Sequence, residues 1–297
     1  MPITHDFSTD ADLIRVPAGP GSLHVERYGQ GGESIVLLHG FATSGFVWRA
    51  VAPGLAAAGH TVYAVDLMGY GESDRPLDGD YSIAAQAEYV DRALTELRLV
   101  RPFVAGLDVG GAIVQRLAAA RGPRLAGLVL INSLAFEECP GRDVRAVQRA
   151  TARFAFRVAR GVLGAAPLLR EALVMNVAVS SHMPDRLIAR YLAPYAGRQG
   201  VTHLLTLASA LDADDLEELD LGSIQAPALI VWGSEDRALD SGLAERLQAA
   251  IPGSTLVRLE GVGRLVPEEA PEILLQLMSE FVASNVLPDG DTTDLEG

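Results

Sequence analysis

The sequence predicts an α/β fold, a mostly parallel sheet with helices on both faces and an inserted helical lid. Two observations carry this. The continuous apolar runs "SIVLLHG", "HTVYAVD", "PFVAG" and "LAGLVLIN" alternate with stretches of helical periodicity, and a strand that is apolar at every position needs cover on both of its faces. The alternation stops after Asn132, gives way to a long arginine-rich helical stretch, and resumes with "APALIVWG". An insertion flanked on both sides by α/β pattern reads as a lid over the sheet's ligand edge.

The elements follow in order. "LIRVPAGPGSLHVERYG" holds two short strand-like runs about a Pro/Gly turn, which predicts an edge hairpin. A helical stretch is expected from Phe46 to Ala58, a long helix from Ile83 to about Leu99, and another after Asp108. In the inserted block, "RAVQRATARFAFRVARGVL" places apolar residues at helical spacing with charges between them. A membrane-surface helix is the sharper reading; an amphipathic helix lying on the rest of the protein fits the acidic chain better. After the insertion come a strand, a helix at 241–250, the strand-like "STLVRLEG" and a closing helix from Pro267 to Ala283. The expected organisation is therefore a core at 1–133, a lid at 134–222, the rest of the core at 223–284, and an acidic tail at 285–297 with a disordered composition.

Composition narrows the function. The chain is 49% hydrophobic over 297 residues, enough to bury a sizeable core. Its formal net charge of -14 opposes the polyanionic backbone of nucleic acid. All 24 cationic residues are arginine, so no lysine is available for a Schiff base or a phosphate-binding loop. Cys139 is the single cysteine, which excludes an internal disulfide and a cysteine-based zinc cluster. No run approaches the roughly 20 apolar residues that span a bilayer. The expectation is a cytoplasmic protein acting on a small organic molecule, with no metal, organic cofactor, nucleic acid or membrane, and with a homodimer possible.

Parallel sheets place chemistry at the carboxyl ends of their strands. Three segments fall there: "HGF", "GLDVGG" and "WGSEDR". With "VLLHGFATSGFVW", "VDLMGYGESDRP", "LINSLAF" and "GVGRLVPEEAPE" in order, they resemble the α/β-hydrolase fold over nearly the whole chain to about Ala283. The resemblance implies a strained strand-to-helix turn, G-x-nucleophile-x-G, at Gly106–Gly110, with Asp108 where the nucleophile sits. An aspartate there is similar to the haloalkane dehalogenases, fluoroacetate dehalogenases and epoxide hydrolases. In those, a carboxylate attacks carbon to form an ester, and a histidine then activates water. The same resemblance implies an oxyanion hole from the N–H groups of Phe41 and Val109, and in Asp236 the acid that orients the histidine. An aspartate at this corner also serves as an ordinary helix cap.

The family histidine is absent. Where it is expected, the chain reads Gly261, Val262, Gly263, Arg264, and no histidine follows His203. An arginine does not accept a proton from water. Three explanations stay open: a non-hydrolytic reaction at Asp108, a hydrolase with a base relocated to His182 or His203, or a small-molecule binder. If Arg264 pairs with Asp236, Asp108 stays free; if it pairs with Asp108, that carboxyl's pKa should fall. His39 resembles the family histidine that holds its own loop. Trp48, Met68, Phe136, Phe154, Phe156, Met175, Met183 and Tyr191 are candidates to line an apolar pocket. Epoxide hydrolases, which the turn resembles, often use lid tyrosines to polarise the epoxide oxygen, which makes Tyr191 and Tyr195 candidates for that role, with packing as the other reading.

Overall fold

The computed structural model describes residues 11–121, 124–149, 170 and 173–286. The acidic tail from 287 on, and most of the expected amphipathic lid helix with Phe154 and Phe156, lie outside the described residues.

The eight strands are β1 (Asp12–Pro17), β2 (Ser22–Tyr28), β3 (Ser34–Leu38), β4 (Thr61–Val65), β5 (Phe103–Leu107), β6 (Gly127–Ile131), β7 (Ala228–Gly233) and β8 (Thr255–Leu259). They form one sheet in the order β1-β2-β4-β3-β5-β6-β7-β8. β1 and β2 make the expected hairpin, with Ile14 opposite Val25, and β2 joins β4 antiparallel. From β4 to β8 the strands are parallel. β5, β6 and β7 are buried at every residue, as their unbroken apolar runs require when both faces are covered. β1, at the edge, buries only Val16.

The helices of the first half are α1 (Ala52–Ala57), α2 (Ile83–Glu96) and α3 (Val109–Arg121). α2 starts where Ser82 Oγ accepts from Ala85 N at 3.2 Å, and Ile83, Ala87, Val90 and Leu94 form its buried stripe. It ends sooner than Leu99, because Arg98 takes a left-handed φ of 55° that no helix continues through. The single helix expected over 46–58 is instead a 3-10 turn (Gly45–Trp48) followed by α1. Pro53 lies in the first turn of α1, where its missing N–H costs nothing.

Between β6 and β7 run α4 (Arg142–Gln148), α5 (Asp185–Leu192), α6 (Gly197–Ser209) and α7 (Asp214–Glu217). α8 (Leu243–Ala250), α9 (Val266–Glu269) and α10 (Pro271–Asn285) complete the chain. The closing helix expected from Pro267 is thus two helices. Pro271 forces the preceding Ala270 out of helical geometry, to φ -140°.

The strand order creates the site. β3 is flanked by β4 on one side and by β5 on the other, so the chain leaves in opposite directions around it. A crevice opens at the carboxyl ends of strands at such a switch point. The loop after β3 carries Phe41, and the residue after β5 is Asp108.

Candidate active site

Asp108 stands on a sharp strand-to-helix turn between β5 and α3. Its φ is 56°, a strained value for a residue with a side chain. The turn is fixed by its own backbone: Asp108 N donates to Ile131 O at 3.0 Å, while its carbonyl accepts from Gly111 N at 3.1 Å and Leu134 N at 3.2 Å. Glycine is obligatory on both sides. A Cβ on Gly106 would lie 2.2 Å from Gly110 O, and one on Gly110 would lie 2.5 Å from Leu38 O. The result is a carboxylate presented at the end of β5, with Oδ2 accepting from Phe41 N at 2.9 Å.

Arg264 meets that carboxylate. Its Nη2 donates to Asp108 Oδ1, and its side chain is 2% exposed. Nη1 reaches the lid, donating to both oxygens of Asp143 at 3.2 and 3.3 Å. The backbone is tied to the lid as well, because Arg264 N and Leu265 N both donate to Asn176 O. Glu269 closes the same seam by accepting from Gly263 N at 2.6 Å and Ala178 N at 2.8 Å.

Asp236 sits apart from this contact. Its Oδ1 accepts from Ala238 N (2.8 Å) and Leu239 N (3.2 Å), and its Oδ2 from Asn132 Nδ2 (2.9 Å). Asn132 Oδ1 in turn accepts from Gly233 N at 2.8 Å. Arg264 therefore pairs with Asp108 and, among the described residues, makes no ion pair with Asp236. Asp236 acts at a distance, through its charge.

The carboxyl of Asp108 does not fall as its pairing with an arginine suggests. Burial pushes it up to about 6; Arg264 and the Phe41 N–H pull it down, while the charges of Asp143 and Asp236 push it further up. Losing water around a carboxylate costs more than one shared guanidinium returns. Burial also works against the charge on Arg264, but Asp108, Asp143 and Asp236 outweigh it and hold the guanidinium fully charged.

The other expected residues divide. His39 is structural: its Nδ1 lies 2.8 Å from Gly40 O and its Nε2 accepts from Leu67 N at 3.0 Å, so its ring pins two loops. Burial depresses its basicity. His182 is half-exposed, and its Nδ1 is 3.5 Å from Glu269. His203 packs edge-on to Tyr81 and donates to Gly69 O at 2.7 Å; burial lowers its pKa. Neither makes a hydrogen bond to Asp108 or Arg264.

Tyr191 is buried, but its hydroxyl donates to Glu268, which also takes both Nη groups of Arg49 at 2.6 Å. Tyr195 is buried, and its hydroxyl has no partner among the described residues. Trp48, Met68 and Met183 are buried. Met175, 52% exposed, does not line a buried pocket. Phe136 is partly buried against the core and lies under the guanidinium of Arg246 at 4.7 Å.

Two residues were not singled out in the sequence. Tyr70, in the "GYGES" loop, stacks edge-on to His39 and Phe41. Burial and then the nearby Tyr195 and Asp108 push its hydroxyl well up. Asp143 is a lone acid flanked by Arg142 and Arg145, a pattern that reads as an exposed charge on a lid helix.

No group of three or more metal-ligating side chains occurs among the described residues, and no helix there is long and apolar enough to cross a membrane. A groove of about 770 Å³ runs between α2 and α3. Of the arginines that line it, Arg121 pairs with Asp91, Arg116 donates to the carbonyl of Asp215 and Arg92 lies 3.7 Å from Glu88.

A fold built this way, with a strained, glycine-flanked strand-to-helix turn after β5 and a helical insertion after β6, defines the α/β-hydrolase class. The family model for the alpha/beta hydrolase fold matches residues 33–271, and the chain belongs to that family. It is 31% identical over 264 residues to a haloalkane dehalogenase of Mycobacterium marinum, covering 84% of each chain. It is 26% identical to a 2-hydroxy-6-oxononadienedioate/2-hydroxy-6-oxononatrienedioate hydrolase of Cupriavidus pinatubonensis, covering 88% of this chain and 91% of that one. Among solved structures, epoxide hydrolase CorEH superposes with a TM-score of 0.78 over 92% of this chain and 99% of its own, at 20% identity, a likeness of fold.

Proposed function

We propose that this α/β-hydrolase-family protein is an enzyme whose chemistry is centred on Asp108, and that it transfers protons in an isomerisation, elimination or cyclisation of a small, largely apolar molecule. The observation that carries the reading is the contact of Arg264 with Asp108, in the place where a base would have to stand for water to be activated. A guanidinium cannot take a proton there. Asp108 can, since burial brings its carboxyl to about 6, where it both accepts and returns a proton near neutrality. Arg264 supplies a fixed cation, the Phe41 N–H holds Asp108 Oδ2, and the N–H of Val109 stabilises an oxygen on which negative charge gathers. Asp236 anchors the Asn132 corner and contributes charge.

A second reading is favoured by the kinship with a haloalkane dehalogenase. In it Asp108 displaces a leaving group from carbon, and a base other than the missing histidine hydrolyses the ester. Incubation with styrene oxide and 1-bromohexane in ¹⁸O-enriched water separates the two. Multiple turnovers to diol or alcohol carrying ¹⁸O, lost in Asp108→Asn, would overturn the non-hydrolytic reading. A single Asp108 adduct without turnover, or no reaction, together with isomer formation across a panel of unsaturated ketones and terpenoid epoxides, supports it.

A further inference from the structure

Arg264 is held from the lid as well as from the core. Its side chain joins Asp108 after β5 to Asp143 in the first turn of α4, and its backbone N–H bonds Asn176 O at 2.9 Å. Asn176 Nδ2 reaches back to Asp143 Oδ2 at 3.4 Å. The lid backbone also comes close to the guanidinium: a Cβ on Gly141 would stand 2.9 Å from Asp143 Oδ1 and 3.2 Å from Arg264 Nη1. This packing leaves Asp143 beside one edge of the guanidinium while Asp108 holds the other.

We propose that Asp143 is a positioning residue of the site: from the lid it holds one edge of Arg264, divides that guanidinium's charge between two carboxylates, and so keeps Asp108 able to exchange a proton. The proposal rests on the reading that Asp108 is the chemical centre. Without Asp143 the guanidinium has one close carboxylate to serve, and Asp108 becomes the ordinary, strongly held partner of an arginine. The charges facing Asp108 are those of Arg264, Asp143 and Asp236, with the Tyr70 hydroxyl and the Cys139 thiol neutral beside it. Of these, Asp143 is the one that touches Arg264 and belongs to the lid.

The test is a ¹³C NMR titration of the Asp108 side-chain carboxyl in the full chain, assigned by comparison with Asp108→Asn. In Asp143→Asn the midpoint should fall by about 1 on the pH scale, and in Asp143→Glu it should stay close to the parent's. A folded Asp143→Asn protein with an unchanged or raised midpoint overturns the proposal. Asp143→Ser gives a second route if that variant does not fold: a shorter neutral side chain leaves the guanidinium to Asp108, and a midpoint that does not fall there overturns the proposal. The titration reads Asp108 whatever reaction it performs. Failure of this inference therefore shows as a midpoint indifferent to residue 143, whereas failure of the reading that Asp108 is the chemical centre shows as turnover that survives in Asp108→Asn.

Discussion

Arg264 joins Asp108 to Asp143, so a single guanidinium links the elbow after β5 to the first helix of the lid. It is buried, and its Nε has no partner among the described residues. Replacing it by a neutral side chain of similar length leaves two carboxylates facing each other without their cation.

Arg264→Met should therefore be strongly destabilised at pH 8, by about 3–5 kcal/mol, the usual cost of breaking a buried pair from one side. Much of that loss should be recovered at pH 5, where the orphaned carboxyls can take up protons. Melting temperatures of parent and variant at the two pH values decide this. An equal deficit at both would mean that Arg264 contributes through packing alone.

The pH dependence of stability carries the signature of Asp108. Its folded-state value of about 6 lies above the ordinary 3.8, so between those values the folded protein binds more protons than the unfolded chain. The stability that this provides is full at the acid end and is lost as the pH rises through 6, on the order of 3 kcal/mol in all. Subtracting the unfolding free energy of Asp108→Asn from that of the parent, from pH 4 to 7, should give a difference that declines with pH. A flat or rising difference would place the Asp108 carboxyl in the ordinary range.

Much of this was legible beforehand, for physical reasons. Unbroken apolar strands and the glycines about Asp108 are demands of packing and of a strained turn, and they leave a local imprint on the sequence. The absence of a histidine after His203 is equally local. Helix ends were misplaced where a proline restarts a helix rather than stopping it, at Pro53 and Pro271. What stayed hidden is relational. That Arg264 turns to Asp108 rather than Asp236 depends on side-chain reach across three strands and the lid. The value near 6 depends on burial, which outweighs the pairing that a charge count emphasises. Asp143 gave only the signal of an exposed acid among arginines, because nothing in its neighbours tells which side of its helix meets the core.

Asp108→Ser should not create an esterase. A serine hydroxyl needs a neighbour to take its proton, and the residue in contact with position 108 is an arginine that never accepts one. His182 and His203 are committed to Glu269 and Gly69. Release of p-nitrophenol from p-nitrophenyl acetate should stay at the level of Asp108→Asn. A serine variant that clearly exceeds it would reveal a base in the site.

The activity profile must be read with Asp108's burial in mind. An ordinary histidine titrates near 6.5, so a limb near neutrality is usually credited to one, and in this fold that would suggest a relocated base. Here the same limb is expected from a carboxylate, because burial carries Asp108 to about 6. The two origins separate by substitution. On a substrate the enzyme turns over, His182→Gln and His203→Gln should leave the limb where it is, since neither side chain bonds to Asp108 or Arg264. Asp143→Asn should move it toward acid, and Asp108→Asn should abolish turnover altogether. The temperature dependence adds an independent check: a carboxyl ionises with little heat, so its limb should hardly move on warming, whereas that of an imidazole falls. A limb that disappears in either histidine variant would install that residue as the base and return the enzyme to hydrolysis.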